Sequence, residues 1–107
     1  MERVTGKLPE RGDDLWVKVV GMLQQNWAAI EPEGDGVRVS FIGDTGGVFD
    51  QMTFPSEAEA IQGLRRNGFQ RFNDEPEMHK FLAPPEPPFR SQPHPNGPIY
   101  SSGRFWR

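Results

Sequence analysis

The chain is organised around Val37–Phe72, which reads VRVSFIGDTGGVFDQMTFPSEAEAIQGLRRNGFQRF. Its centre, Ser56–Asn67, has clear signals for both ends of a helix. Ser56 can cap the start, and Glu59 can complete a capping box by reaching back to the Ser56 N–H. Gly68 can adopt the left-handed conformation that ends many helices, so that the next residue folds back onto the last turn. The sequence therefore predicts one well-bounded helix here.

Strand-like runs lie on both sides of this helix. Val37–Ile42 alternates apolar and polar residues, which is typical of a half-buried strand. Val48–Phe54 follows the same pattern until Asp50 interrupts it, so we expect a bulge near that residue. Phe69–Phe72 predicts a short strand after the helix. The glycines of Gly43–Gly47 are flanked by strand-like residues, which favours a hairpin turn over a phosphate-binding loop.

The region before this stretch is predicted to contain a second main helix. Asp13 or Asp14 can cap a helix that runs to about Asn26. Three valines lower the helical propensity of the segment, so a strand at Leu15–Val20 is the alternative interpretation. A turn cluster at Pro32–Gly36 then leads into the first predicted strand. The apolar residues at helical spacing are Trp16, Val19, Val20, Leu23 and Trp27.

The predicted fold class is α+β, a two-layer sandwich with the element order α-β-β-β-α-β. Strands linked by hairpins pair antiparallel, and both main helices must bury an apolar stripe, so we expect an antiparallel sheet of three to four strands with both helices on one face. A short helix beginning near Asp74–Glu77 closes the order. We divide the chain into a loose arm (1–12), one domain (13–83) and an extended proline-rich tail (84–107).

Composition narrows the classes of function. The chain has 107 residues and a net charge of −3, divided into −5 for residues 1–83 and +2 for residues 84–107. An acidic body disfavours general binding to nucleic-acid phosphates, whereas a basic tail can dock on its own domain or on a neighbour. The absence of cysteine excludes disulfides and thiolate chemistry, and it fits a cytoplasmic location. No apolar run approaches the roughly 18 residues of a membrane span, and the N-terminus does not resemble a signal peptide.

Catalytic and cofactor signals are weak. His79 and His94 are the only histidines, and neither has a partner at metal-binding spacing, so no metal and no cofactor are expected. No serine can be matched with a histidine and an acid in a hydrolase signature. The 15 acidic residues include no pair that the sequence marks as acid and base.

Three arginines cluster at the end of the predicted central helix: Arg65, Arg66 and Arg71. Basic groups at that end complement the helix dipole, although an anion or RNA contact is the alternative. The order α-β-β-β-α is similar to that of a double-stranded-RNA-binding domain, whose second helix should open with lysines that face the phosphates. The central helix here opens with Glu57-Ala58-Glu59, which would repel phosphates, so nucleic acid is not the expected partner.

The tail combines prolines with large apolar residues. Seven of the eleven prolines lie between Pro84 and Pro98, yet the tail is also rich in aromatics, unlike most disordered segments. Pro85–Arg90 fits the pattern P-x-x-P-x-R of an SH3 ligand, but we favour a rigid spacer. We expect the tail to pack on an outer sheet face formed by Ile42, Phe49 and Phe72, in its own chain or swapped into a partner. The inner face is predicted to hold Val37, Val39, Phe41, Val48, Met52 and Phe54.

These observations favour a small non-catalytic protein-interaction module whose partner is another protein or a second copy. One alternative is a nucleic-acid-binding domain that uses Arg38, Arg65, Arg66, Arg71 and the tail arginines, with Trp106 as a stacking group. The other is a small enzyme with a carboxylate site assembled by the fold. No membrane association is expected. The candidate interaction residues are Ile99, Tyr100, Phe105, Trp106, Phe49 and Phe72, and the candidate anion or nucleic-acid contacts are Arg65, Arg66 and Arg71.

Overall fold

A computed structural model describes residues 8–10, 14–21, 24–43 and 46–91, with the backbone alone at positions 20, 21, 24, 78, 79 and 91. The described elements are β1 (Leu15–Gly21), β2 (Gln24–Glu33), β3 (Gly36–Ile42), β4 (Gly47–Phe54), α1 (Glu57–Arg66), β5 (Gln70–Arg71), the 3-10 turns Phe72–Asp74 and Pro76–Lys80, and β6 (Arg90–Ser91).

The strands form one sheet in the order β5-β1-β2-β3-β4-β6. The first five strands of this order pair antiparallel, whereas β6 runs parallel to β4. One main helix, α1, packs against the sheet through β3 and β4. The architecture is therefore α+β with an antiparallel sheet, and among the described residues it has one main helix where the sequence predicts two.

The predicted helix between Asp13 and Asn26 is wrong, because this region forms the hairpin of β1 and β2. Leu15 and Val17 pack on one face of the sheet and Trp16 packs on the other, so β1 buries side chains on both faces. An apolar run of this kind fits helical spacing and strand spacing equally well. The β-branched valines favour the strand, which is the alternative interpretation of Leu15–Val20.

The predicted central helix is confirmed at both ends. The Glu59 N–H donates to Ser56 Oγ at 3.2 Å, and Ser56 has extended backbone angles. At the other end the Phe69 N–H donates to the Leu64 carbonyl at 2.9 Å, and the Gly68 N–H donates to the Arg65 carbonyl at 3.1 Å. With a φ of +91° at Gly68, these two bonds form a Schellman ending.

The expected irregularity near Asp50 is a bulge in β4. Phe41 pairs with Asp50 and Ile42 pairs with Val48, so Phe49 is an extra residue between the two pairs. The bulge reverses the alternation, which places Val48 on the face opposite to the one predicted and Phe49 on the helix side.

The sheet separates two apolar clusters. The helix face is the side covered by α1, and its central row is Trp16–Ala28–Phe41–Asp50. The second face is the opposite side, and its central row is Val17–Trp27–Ile42–Val48. Residues that lie directly opposite each other in antiparallel strands share a face, so each row is a continuous band across four strands.

The predicted short C-terminal helix is replaced by the two 3-10 turns, and an irregular segment continues from them to β6. Three apolar side chains of this region, Phe72, Leu82 and Phe89, pack into the cluster of the second face. We call residues 72–89 the cover segment, because it closes the face that α1 does not reach. Leu8 packs against the same cluster, so this part of the predicted loose arm contacts the domain.

Candidate functional site

The second face changes from apolar to polar along its strands. Beyond the apolar row, Ser40 pairs with Gln51, whose Nε2 donates to Ser40 Oγ at 3.1 Å. One row further, Arg38 lies between Glu31 on β2 and Thr53 on β4. This end of the face presents hydroxyl, amide and charged groups side by side.

Arg38 is held inside this polar end rather than offered to solvent. Arg38 is only 6% exposed, and its guanidinium forms an ion pair with the carboxylate of Glu33. A buried charge must be paired, because removing one partner leaves an uncompensated ion. The Glu10 N–H also donates to Glu31 Oε2 at 3.1 Å, which ties the N-terminal residues to the same end. The arrangement gives Arg38 a structural partner within the domain.

The three clustered arginines are not equivalent. Arg71 makes a two-pronged contact with Asp14, with distances of 2.9 Å from Nε to Oδ1 and 2.7 Å from Nη2 to Oδ2. These hydrogen bonds, followed by the charge of Asp14, raise the pKa of Arg71 above its usual value. The guanidinium carbon Cζ of Arg65 lies 5.3 Å from the ring centroid of Trp16, which is a cation–π contact.

Arg66, the last residue of α1, is exposed at the C-terminal end of the helix, where basic groups complement the helix dipole. Both Arg65 and Arg71 have identified partners inside the domain. The anion or nucleic-acid role of the three arginines stays a prediction.

Two of the predicted interaction residues are buried. Phe49 is packed in the helix-side cluster because of the bulge, and Phe72 meets the Trp27 ring edge-on at 5.3 Å with an angle of 63° between the planes. Ile42 also lies in the second-face cluster, as the alternation predicts. The other four candidates, Ile99, Tyr100, Phe105 and Trp106, lie outside the described residues, and so does His94.

The proline-rich motif is docked on the domain. Pro85 and Phe89 are buried, and a Cβ built on Gly46 would lie 3.9 Å from Pro85 and 4.0 Å from the Phe89 ring. The motif therefore packs over the turn between β3 and β4, where the flanking strands confirm the predicted hairpin. A groove that reads P-x-x-P-x-R needs the prolines accessible, so this packing favours the spacer interpretation.

The cover segment also carries a side chain that the sequence pattern misplaced. In the short helix predicted from Asp74–Glu77, Phe81 would lie with Leu82 on the apolar side, but it is 79% exposed. Its neighbour Leu82 points into the second-face cluster, and Phe72 and Phe89 anchor the segment on either side. An irregular backbone has no fixed side-chain period, so no sequence signal separates the inward residues from the outward one.

A second feature that sequence reasoning missed is the indole of Trp27. The residue is fully buried in the second-face cluster, and its Nε1–H has no hydrogen-bond partner among the residues that the structure describes. A buried donor without an acceptor costs about 1–3 kcal/mol. The Phe72 ring beside it supplies only an aromatic contact, so the cluster tolerates this cost through its apolar packing.

The described part of the chain contains no group of three or more histidine, aspartate and glutamate side chains close enough to hold a metal ion. Within the same residues, no helix is long and apolar enough to cross a membrane. No protein family, no curated protein and no solved structure matches the chain.

Proposed function

We propose that the protein is a small, non-catalytic interaction module that binds another protein through the outward side of the cover segment. The observation that carries this proposal is Phe81, a large aromatic side chain that is 79% exposed in a segment anchored by buried residues. Aromatic residues are enriched at protein interfaces, and an anchor that is held in place before binding loses little conformational entropy. A cytoplasmic location fits the cysteine-free composition.

The chemistry around Phe81 suits a partner with an apolar pocket and a polar rim. Lys80 and Glu77 flank it, with 3.4 Å between Nζ and Oε2, and both are largely exposed. Exposed ion pairs of this kind contribute little to folding and remain available for contacts at the rim of an interface.

The test places a photo-crosslinking amino acid at position 81 of the full-length protein in its native cells. A matched control places the same amino acid at Val19, the other exposed large hydrophobic side chain among the described residues, which is 52% exposed. We expect a discrete crosslinked protein from position 81 and none from position 19. Phe81→Ala, which has no crosslinking group, should reduce co-purification of that protein at least tenfold. Its melting temperature should stay unchanged, because the side chain is exposed.

Identical products from the two positions, or unchanged recovery with Phe81→Ala, would contradict the proposal. A product with twice the mass of the chain would identify a second copy as the partner.

A further inference from the structure

The ending of α1 contains a chemically reactive pair of residues, Asn67 and Gly68. In an Asn-Gly sequence the backbone nitrogen of the glycine can attack Cγ of the asparagine side chain, because glycine has no side chain to hinder the approach. The N–Cγ bond forms and the Cγ–Nδ2 bond breaks, and ammonia leaves with the proton lost from the backbone nitrogen. Water then opens the resulting succinimide ring and gives aspartate or isoaspartate.

The structure closes this reaction in three ways. The Gly68 N–H, which must lose its proton, donates to the Arg65 carbonyl at 3.1 Å. Nδ2 of Asn67, which must leave, donates to the Gly63 carbonyl at 2.8 Å. The ψ angle of Asn67 is 11°, so the Gly68 nitrogen nearly eclipses the Asn67 nitrogen and lies away from the Asn67 side chain. All three features belong to the helix ending, so the reaction requires that ending to open.

The last turn can open without the rest of the fold. Asn67 is half-buried and Gly68 is exposed, whereas Phe69 is buried in the cluster of the helix face. Releasing the Gly68 N–H and rotating ψ of Asn67 leaves the buried side chains of that cluster in place. Local openings of this kind at the ends of elements need less free energy than global unfolding. The rate of the reaction should therefore follow the local opening of the helix ending.

The products fit the helix ending less well than asparagine does. A carboxylate has only acceptor atoms, so aspartate at position 67 cannot donate to the Gly63 carbonyl. Its charge also meets the negative end of the helix dipole; the basic side chains of the last turn reduce that cost but do not replace the lost hydrogen bond. Isoaspartate inserts an extra carbon into the backbone before Gly68, which disturbs the two hydrogen bonds of the Schellman ending.

We propose that Asn67 is a deamidation site that the ending of α1 keeps closed, and that its conversion to aspartate or isoaspartate loosens this ending. Each conversion needs an open last turn and leaves a turn that closes less well. The fraction of modified chains then records how often the last turn has opened. The proposal does not depend on the partner proposed for Phe81.

The first test measures deamidation of Asn67 by peptide mass spectrometry, in the folded full-length protein and in concentrated urea at the same mildly alkaline pH. Asn96, which also precedes a glycine, is the chemical control, and in urea the two asparagines should react at similar rates. In the folded protein we expect Asn67 to react at least about tenfold more slowly than in urea. Equal rates for Asn67 in the two conditions would overturn the proposal.

A series of low urea concentrations separates protection by the helix ending from protection by the whole fold. Local opening exposes little surface, so the rate at Asn67 should change by less than about twofold while the protein stays folded. A rate that rises steeply with urea, in parallel with the unfolded fraction, would show that the reaction requires global unfolding and would contradict the proposal.

The second test examines what the product does to the ending. Asn67→Asp supplies the aspartate product, and Gln62→Glu is the matched control, since it makes the same amide-to-acid change at an exposed position of α1. Hydrogen exchange of the Phe69 N–H, which donates to the Leu64 carbonyl, should accelerate about fivefold or more in Asn67→Asp. In the control it should stay within about twofold of the parent. Equal exchange rates in the two variants would show that the ending does not need the Asn67 amide, and would overturn the proposed loosening.

Discussion

The two faces of the sheet are closed in different ways. On the helix face, α1 follows β4 directly and carries its own caps, Ser56 at the start and Gly68 at the end. On the second face, the cover segment consists of two short 3-10 turns and an irregular stretch, and it is held by side chains inserted into the cluster. One cover is a regular element with internal hydrogen bonds, whereas the other depends on individual contacts.

This difference predicts unequal local stability. A helix closes its backbone hydrogen bonds within itself, so α1 should open only when the sheet unfolds. The irregular cover loses its attachment as soon as Phe72, Leu82 and Phe89 leave the cluster, so it should open at a lower free energy. A partner that binds the outward side of the cover segment would then stabilise the second face by mass action.

The largest expected effect is on the helix face. Leu64→Ala removes a fully buried side chain of α1 and should lower the free energy of unfolding by about 2–5 kcal/mol, measured by urea denaturation. Gln62→Ala, at an exposed position of the same helix, is the control and should change stability by less than about 0.5 kcal/mol. A loss below about 1 kcal/mol for Leu64→Ala would show that the helix is not the tighter cover.

The next effect concerns the helix ending. Gly68→Val should cost about 1–3 kcal/mol in thermal or urea unfolding, because a β-branched residue resists a φ of +91°. A Cβ at this position would lie 3.4 Å from Cε of the flexible Lys18 side chain, an ordinary contact, so the cost comes from the backbone conformation. Gly68→Asn is the matched control, since asparagine tolerates the left-handed region and should cost less. Equal melting temperatures for the Val and Asn variants would remove the Schellman ending as a source of stability.

The smallest effect is expected on the second face. Phe89→Ala removes a buried aromatic side chain, but the cover segment can detach locally, so we expect a loss of global stability of only about 1–2 kcal/mol. Limited proteolysis within residues 72–89 should accelerate strongly in this variant. Phe81→Ala, which changes an exposed aromatic of the same segment, should alter neither quantity. A global loss as large as that of Leu64→Ala would show that the two covers are equally cooperative.

Some candidate residues are placed by sequence signals nearby in the chain, and others are placed by contacts with residues far away in the chain. The dipole position of Arg65 and Arg66 follows from the end of α1, which the sequence marks clearly. The pairing of Arg71 with Asp14 joins residues 57 positions apart, and it exists only because β5 pairs with β1. The outward position of Phe81 was not predictable either, because an irregular backbone gives its side chains no period.

The elements that were predicted correctly have signals within a few residues of one another: α1 with its caps, β3 and β4 with their alternation, and the hairpin at Gly43–Gly47. The form of Leu15–Glu33 depends instead on contacts with distant parts of the chain. Its apolar residues suit a helix with one buried stripe or strands buried on both faces. The strands are favoured only if another part of the chain covers the second face of the sheet. Residues 72–89 supply that cover from a distant part of the chain. Burying both sides of β1 and β2 removes more apolar surface from water than a single helical stripe would, so the sheet prevails.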